Sequence, residues 1–126
     1  MPRFVVHEHH ATHLHWDFRL EFEGVLKSWA VPKGPSMNPA DKRLAIQVED
    51  HDIDYGSFEG IIPEGEYGAG KVLIWDEGSY EPIGDMSKGL TTGALSFNLD
   101  GKKLVGEFFL IRLKKGSSKE WLLIKR

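Results

Sequence analysis

The sequence of 126 residues contains no cysteine, which excludes disulfide bonds, thiolate nucleophiles and zinc sites built from cysteine. It also lacks any apolar run near the roughly 20 residues that a membrane-spanning helix needs. No apolar signal segment follows the first residues, so we expect a cytoplasmic protein without a membrane partner. Hydrophobic residues make up 40% and charged residues 28% of the chain. This composition is that of an ordinary globular protein, and the length predicts one domain over residues 1–126.

An evenly basic surface is missing as well, because the formal net charge is −3. Residues 50–100 carry 11 acidic and 2 basic side chains, whereas residues 101–126 carry 8 basic and 2 acidic ones. This balance excludes a protein that coats nucleic acid with a uniformly positive surface. Two interpretations of the basic C-terminal part stay open: a local nucleic-acid contact, or lysines that protect an exposed strand edge from aggregation.

Apolar residues recur at every second position through much of the chain, which is the period of a half-buried β-strand. The clearest strand runs from Leu14 to Phe22, and Glu23-Gly24 then turns the chain into a returning strand over residues 25–32. Asp100-Gly101 is the strongest hairpin signal. The other predicted strands contain Leu44, Ile46 and Val48, which we expect to face the core, and residues 71–75, 78–81, 95–99, 104–113 and 120–125.

Long helices are absent from the pattern, since no window of about 11 residues or more shows an apolar stripe at helical spacing. Residues 38–41 and 85–88 are typical of short helical turns, and Glu77-Gly78 predicts a turn between two strands. About eight strands and 14 glycines in one small chain predict an all-β fold. We expect a compact, closed or nearly closed β-barrel with one or two short helices.

Five of the six histidines lie within residues 7–15. If the apolar residues of the following strand face the core, His15, Asp17 and Arg19 share the opposite face, and His9 can fold back beside them. Two imidazoles and a carboxylate suit manganese, iron, cobalt or zinc, and three protein ligands leave positions open for substrate. Arg19 is best explained by a bound anion, because guanidinium offers a planar fork to phosphate oxygens.

Neighbouring strands add polar residues to this face if the same alternation holds. The strand over residues 44–48 has a predicted core-facing side, and its opposite side carries Arg43, Glu49 and His51. The strand before it contributes Lys33. Cations beside a divalent-metal site are typical of enzymes that act on phosphorylated substrates. The alternative is that these residues form the ordinary polar exterior of a small barrel, with histidines that bind metal only opportunistically. This alternative stays open because alternation fixes the face of each residue but not which strands are neighbours.

Long ordered motifs run through the chain from Phe4 to Lys125. They are LHWDFRLE at 14–21, LKSWAVPKGP at 26–35, KRLA at 42–45, VEDH at 48–51, FEGIIP at 58–63 and YGAG at 67–70. Together they resemble the 3′-phosphoesterase domain of bacterial DNA ligase D and its free-standing bacterial and archaeal relatives. The resemblance implies a β-barrel hydrolase that acts in DNA repair by non-homologous end joining.

This resemblance also implies a reaction and a set of site residues. Family members use a divalent metal, typically Mn²⁺ with Co²⁺ or Zn²⁺ as further candidates, to remove a 3′-terminal ribonucleoside and then the remaining 3′-phosphate. The product is a 3′-OH that polymerase or ligase can use. The implied metal ligands are His9, His15 and Asp17. The implied phosphate-binding and catalytic residues are Arg19, Lys33, Arg43, Glu49, His51 and Tyr55.

Roles follow for several of these residues. We expect His51 to stabilise the transition state or to protonate the leaving oxygen, since imidazole titrates near neutrality. We expect Glu49 to orient His51 or Arg43, and Tyr55 to donate a hydrogen bond to phosphate or to support the metal. The expected partners are DNA 3′ ends, with a DNA ligase and polymerase acting in trans. Three histidines match no functional position of the family and are expected around the site or on the surface: His7, His10 and His13.

Two further functions fit the same residues. His15, Asp17 and His51 mimic the facial triad of non-haem iron oxygenases, which also occur on small β-barrels, but that function leaves the cationic side chains unused. A non-catalytic module that binds DNA ends and recruits a ligase is the other alternative. It predicts tight DNA binding for which the metal ligands are dispensable.

Overall fold

The computed structural model describes residues 2–114 and 118–126. These residues form nine strands, one α-helix and one 3-10 helix. The strands are β1 (Arg3–His10), β2 (Leu14–Phe22), β3 (Val25–Val31), β4 (Arg43–Asp52), β5 (Gly60–Ile62), β6 (Gly70–Ile83), β7 (Ala94–Asp100), β8 (Val105–Arg112) and β9 (Glu120–Lys125). The helix α1 spans Met86–Thr92, and the 3-10 helix spans Ile53–Ser57.

Eight of these strands close into an antiparallel barrel. Each strand pairs with the next in the order β1-β2-β3-β4-β9-β8-β7-β6, and β6 pairs with β1 to complete the ring. The short β5 pairs with the first residues of β6. Together with the single short α-helix, this architecture confirms the predicted all-β barrel.

The hairpin between β2 and β3 forms where its turn residues predict it. Glu23 and Gly24 have φ angles of 49° and 81°, the pair of positive values that a two-residue type I′ turn needs. The turn sets the register, so that Asp17 pairs with Ala30 and Arg19 with Ser28. Local turn chemistry therefore decides which side chains of the two strands become neighbours.

Aromatic and aliphatic side chains fill the interior of the barrel. The ring of Phe18 stacks on that of Phe97 with centroids 5.8 Å apart, and Trp29 meets Trp121 edge to face at 5.7 Å. All four side chains are fully buried, and each burial stabilises the fold by roughly 1.5–3 kcal/mol. Because side chains fill the inside, polar residues that alternate with them point to the outer face.

Two strands have bounds that the sequence pattern did not predict. Residues 70–83 form one continuous strand, so the predicted turn at Glu77-Gly78 is wrong. A Cβ atom at Gly78 would collide with the Asp100 carbonyl, so this glycine permits a close approach of β6 and β7. β1 has no counterpart among the predicted strands, because Val5 and Val6 are both fully buried and the alternation is lost.

β4 faces the opposite way from the prediction. Ala45 is fully buried in the core, whereas Leu44 is 38% exposed. The expectation that Leu44, Ile46 and Val48 face the core is therefore wrong. Ala45 pairs with Trp121 of β9, and a small side chain suits the interior there because the indole occupies the adjacent space.

The predicted helix near residue 85 is confirmed. α1 begins after Asp85, whose carboxylate accepts a hydrogen bond from the backbone N–H of Lys88 at 3.1 Å. Residues 38–41, the other predicted helical turn, form a non-helical turn instead. No helix in the described part of the chain is long and apolar enough to cross a membrane.

Residues 53–69 connect β4 to β6 and cover the outer face of β1 and β2; we call them the cover segment. Arg3, His7 and His9, which alternate along β1, each hydrogen-bond a backbone carbonyl oxygen of this segment. The acceptors are Gly56 at 2.9 Å, Phe58 at 3.1 Å and Gly68 at 2.8 Å. The cover segment explains why polar side chains on an outer face are buried.

Candidate active site

Two histidines and an aspartate meet on the outer face of β1 and β2. The strands pair so that His9 lies opposite His15, and Asp17 is the next outward-facing residue of β2. Oδ2 of Asp17 lies 3.6 Å from Nδ1 of His9 and 3.3 Å from Nε2 of His15. One potential ligand atom from each residue lies within 4.8 Å of the other two. The structure thus brings the three predicted metal ligands together.

Backbone carbonyls fix the tautomer of both imidazoles. Nε2 of His9 lies 2.8 Å from the carbonyl oxygen of Gly68. Nδ1 of His15 lies 3.0 Å from that of His13. A carbonyl only accepts, so these nitrogens carry protons, and His9 Nδ1 and His15 Nε2 are the nitrogens that face Asp17. Each of the two donates to the carboxylate when its ring is protonated and offers a lone pair to an ion when its ring is neutral. Two lone pairs and a carboxylate oxygen are the donors of a transition-metal site, so these residues fit the implied ion.

Asp17 is held in its charged form. Burial alone would raise the pKa of this carboxyl, but hydrogen bonds from His15 and His9 and the charge of Arg19 hold the pKa well below its usual range. The same hydrogen bond to Asp17 raises the pKa of His15, although burial opposes it. A metal ion at this cluster would therefore compete with a proton on His15.

Arg19 is one of the largest fully buried side chains of the protein. Its Nε donates to Nδ1 of His7 at 3.0 Å, and its Nη1 donates to Oγ of Ser28 at 2.8 Å. Nη1 also lies 3.1 Å from Nδ1 of His51, and Nη2 lies 3.3 Å from Oδ2 of Asp17. A buried charge needs such partners, and here they hold the guanidinium in one orientation beside the predicted metal ligands.

His51 and Tyr55 complete the polar side of the site. Their ring centroids are 4.7 Å apart, and the Tyr55 ring lies 5.0 Å from Cζ of Arg19. Burial, and then the charge of Arg19, lowers the pKa of His51, so its imidazole is neutral at pH 7. Nδ1 of His51 lies near Arg19 Nη1, which only donates, and near the Glu49 carbonyl oxygen, which only accepts, so a neutral ring can bond just one of them. When Nδ1 accepts from the guanidinium, Nε2 carries the proton. Burial raises the pKa of Tyr55, so its phenol remains a donor.

These groups open onto one cavity of about 380 Å³, within the range of ligand sites. The cavity brings together six of the residues predicted from the sequence: His9, His15, Asp17, Arg19, His51 and Tyr55. It is also lined by apolar and aromatic residues that the sequence did not single out: Ala11, Ala30, Val48, Ile62 and Tyr67.

The structure does not bring the other three predicted site residues into this cavity. Lys33 and Arg43 line a neighbouring cleft farther along β3 and β4, where Arg43 lies 3.4 Å from Asp41. The Glu49 side chain is exposed, and the backbone carbonyl of this residue, not its carboxylate, lies 3.2 Å from Nδ1 of His51. Alternation misplaced Arg43 because β4 is turned the other way round from the prediction.

Two residues that contact Arg19, His7 and Ser28, were not predicted as its partners from the sequence. His7 is fully buried, and its Nε2 lies 3.1 Å from the Phe58 carbonyl oxygen. Burial, and then the charge of Arg19, lowers the pKa of His7 to about 4, so it is neutral at pH 7. The register of the β2–β3 hairpin could have identified Ser28 as the neighbour of Arg19.

The two other histidines without a family role are exposed: His10 and His13.

Residues 7–112 match the DNA ligase D 3′-phosphoesterase domain family. The chain belongs to this family. The multifunctional non-homologous end joining protein LigD of Pseudomonas aeruginosa is 56% identical over 124 residues, which are 98% of this chain and 15% of that protein. The LigD DNA repair protein of Mycobacterium tuberculosis is 51% identical over 109 residues, 86% of this chain and 14% of that protein. LigD of Mycolicibacterium smegmatis is 46% identical over 126 residues, 95% of this chain and 16% of that protein.

The chain thus spans about 15% of the length of the curated relatives that it matches. The resemblance predicted from the sequence motifs is confirmed. Membership in a phosphoesterase family agrees with a site in which a buried guanidinium adjoins a candidate metal centre.

Proposed function

We propose that this chain is a divalent-metal-dependent phosphoesterase that removes 3′-terminal ribonucleosides and 3′-phosphates from DNA and leaves a 3′-OH for ligation. The observation that carries the proposal is the 3.3 Å approach of Arg19 Nη2 to Oδ2 of Asp17. At that separation a single phosphate group can contact both the guanidinium and an ion held by Asp17. Membership in the 3′-phosphoesterase family supports the choice of ester.

His9, His15 and Asp17 would hold the ion. Their two imidazole nitrogens and one carboxylate oxygen suit Mn²⁺, and also Co²⁺ or Zn²⁺. When bound there, a divalent ion supplies Lewis acidity toward a phosphate oxygen and lowers the pKa of a bound water. The carbonyls that fix both imidazole tautomers prepare this site before the ion arrives.

Arg19 would bind the non-bridging oxygens of the reacting phosphate. Nε and Nη1 are engaged by His7, Ser28 and His51, so the guanidinium cannot turn away when substrate enters. A donor fixed in advance stabilises developing charge without reorganisation in the transition state. Arg19 therefore acts as a preorganised phosphate clamp.

His51 and Tyr55 lie beside Arg19 and would contact the same phosphate. The Nε2 proton of His51 and the phenol of Tyr55 are the available donors. Burial lowers the pKa of His51 most, and the charge of Arg19 lowers it further; an anion beside Arg19 offsets the second of these causes. The imidazole then titrates nearer to neutrality, where it is suited to protonate the leaving oxygen.

The remaining predicted residues would act at a distance from the reacting phosphate. Lys33 and Arg43 line the cleft next to the cavity, and cations there suit backbone phosphates farther along the DNA strand. Glu49 would orient His51 through its backbone carbonyl when the imidazole is protonated, because Nδ1 then carries a proton to donate. The proposed partners are DNA 3′ ends, with a ligase and a polymerase in non-homologous end joining, as the names of the LigD relatives suggest.

The proposal is tested with two DNA primer-templates, one ending in a single ribonucleotide and one in a 3′-phosphate. After treatment with a chelator, adding back Mn²⁺ should restore loss of the terminal nucleoside and of the phosphate. Asp17→Asn, which keeps the side-chain volume and removes the charge, should be inactive. Unchanged ends with Mn²⁺, Co²⁺ and Zn²⁺ would contradict the proposal. DNA binding that survives loss of the metal ligands would favour the end-binding module instead.

A further inference from the structure

The cavity has a part that a metal ion and a phosphate do not use. Its polar side chains come from β1, β2, β4 and the 3-10 helix, whereas Ile62 and Tyr67 of the cover segment and Val48 of β4 contribute apolar lining, which we call the apolar side. Phosphate oxygens and metal ions bind polar groups, and burying them against apolar side chains costs free energy. The apolar side therefore fits a different, uncharged part of the substrate.

Tyr67 is the most accessible residue on this side. It is 86% exposed, and no hydrogen bond or ring contact joins it to another residue in the part of the chain that the structure describes. A single exposed aromatic is ordinary on a protein surface. This one, however, lines the same cavity as Asp17 and Arg19, so its ring is available to whatever enters.

The turn that carries Tyr67 is tied to the candidate metal centre. The next residue, Gly68, accepts the hydrogen bond of His9 Nε2 at 2.8 Å. The N–H of Ala69 bonds to the carbonyl oxygen of Glu66 at 3.1 Å, which closes the chain around the tyrosine. The backbone that carries the ring is therefore anchored by His9, one of the candidate metal ligands.

The charge near Tyr67 decides which part of a DNA strand can bind there. Glu64 and Glu66, which precede Tyr67 by three residues and one residue, are both exposed. Two carboxylates disfavour a backbone phosphate at this position, since like charges repel. A nucleobase is uncharged and has two flat faces, so it meets no such repulsion.

We propose that Tyr67 is a stacking platform for the nucleobase of the nucleoside whose 3′ oxygen carries the reacting phosphate. Aromatic side chains stack on any base, because every base has a π-face. Ile62 and Val48 line the same cavity and would contact the sugar of that nucleoside. This inference rests on the proposed function and names the part of the substrate that positions the ester.

The test compares two 3′-phosphorylated primers that differ only in whether the terminal nucleoside has a base or is abasic. Tyr67→Ala should raise KM by about 5- to 150-fold on the primer with a base, with kcat little changed, and should leave KM on the abasic primer unchanged. Tyr67→Phe keeps the ring and should behave as the unaltered protein. Ile61→Ala is the matched control, because Ile61 is 76% exposed on the cover segment but does not line the cavity.

A second readout does not depend on turnover. A primer with a terminal 2-aminopurine in a single-stranded overhang is titrated with protein in the presence of a chelator, because this base loses fluorescence on stacking. The unaltered protein and Tyr67→Phe should quench the signal, whereas Tyr67→Ala should not.

Equal KM changes on both primers, together with equal quenching by all variants, would overturn the stacking role. If the unaltered protein cleaves neither primer under any metal, the proposed function fails. In that case the 2-aminopurine titration still decides whether Tyr67 stacks on a base. The two failures are therefore distinguishable.

Discussion

β2 carries Phe18 and Leu20 on its inner face and Asp17 and Arg19 on its outer face, and none of the four is more than 6% exposed. Inside the barrel, contact between apolar surfaces stabilises the buried side chains, and this contact depends on their volume and shape. On the outer face, the burial of Asp17 and Arg19 is compensated by polar partners, such as Ser28, which accepts a 2.8 Å hydrogen bond from Arg19. The inner face therefore supplies the apolar packing of the barrel, and the outer face positions the groups that carry the chemistry.

The two faces are also buried by different parts of the chain. The inner face is closed by the ring of eight strands. The outer face is closed by the cover segment, which three side chains of β1 hold by its backbone. The following predictions separate the two faces, from the largest expected effect to the smallest.

The largest effect is expected from the inner face. Phe108 of β8 is fully buried, so Phe108→Ala should lower the free energy of unfolding by about 3–5 kcal/mol. Urea denaturation measures this change. The folded variant should bind Mn²⁺ as the unaltered protein does. Ile111→Ala is the control, since Ile111 is 43% exposed on the same strand and should change stability by no more than about 0.5 kcal/mol. Loss of Mn²⁺ binding in folded Phe108→Ala would show that the faces are not independent.

On the outer face, Arg19→Ala should reduce kcat on a 3′-phosphorylated primer by about 10²- to 10³-fold, because a preorganised donor to the phosphate is lost. Affinity for Mn²⁺, measured by calorimetry, should stay close to that of the unaltered protein. Arg19→Lys should not restore the rate, since an ammonium cannot reproduce the planar fork. Arg126→Ala serves as the surface control, with 68% of that side chain exposed. An Arg19→Ala variant with normal kcat would refute the clamp.

The pH dependence of stability should report the buried His7. The pKa of His7 is lowered from 6.5 to about 4 in the folded protein, so the unfolded chain binds more protons between these values. Stability should therefore fall as the pH drops from 6.5 to 4, by roughly 2–4 kcal/mol for this one group. His7→Gln keeps a donor for Phe58 and an acceptor for Arg19 but does not titrate. Urea unfolding across this range, with chelator present, should show a smaller decline in the variant; parallel curves would contradict the assignment.

The smallest effect is expected at the edge of the cover segment. Arg3 donates to the Gly56 carbonyl oxygen at 2.9 Å and pairs with Glu77 at 2.6 Å in a partly exposed position. Arg3→Ala should lower the free energy of unfolding by about 0.5–1.5 kcal/mol. Hydrogen exchange should accelerate in residues 53–58 and remain slow in the barrel strands. Unchanged exchange in residues 53–58 would show that other contacts suffice to hold the segment.

Features set by neighbouring residues were predictable from the sequence. The β2–β3 hairpin follows from Glu23-Gly24, and the shared outer face of His15, Asp17 and Arg19 follows from alternation within one strand. The β1 strand was not predictable from apolar alternation, because it is buried on both faces. Which face of β4 lies inside depends on Trp121, which is distant in the sequence.

The same limit applies to the site. His9 could be expected near His15 because it lies close in the sequence, and the structure places it there. Lys33 and Arg43 were expected with these residues from the alternation along the strands and from the family resemblance, and the structure puts them in a separate cleft. The partners that the cover segment supplies, such as the carbonyls of Phe58 and Gly68, depend on a long connection whose path no local pattern indicates.

The most direct test of the central claim is pulsed electron paramagnetic resonance on the protein loaded with Mn²⁺. We expect couplings from two directly bound imidazole nitrogens, and a phosphorus coupling after inorganic phosphate is added that Arg19→Ala weakens. Spectra without bound nitrogen, or a phosphorus coupling that is the same with and without Arg19, would contradict a metal centre and a phosphate clamp that share one anion.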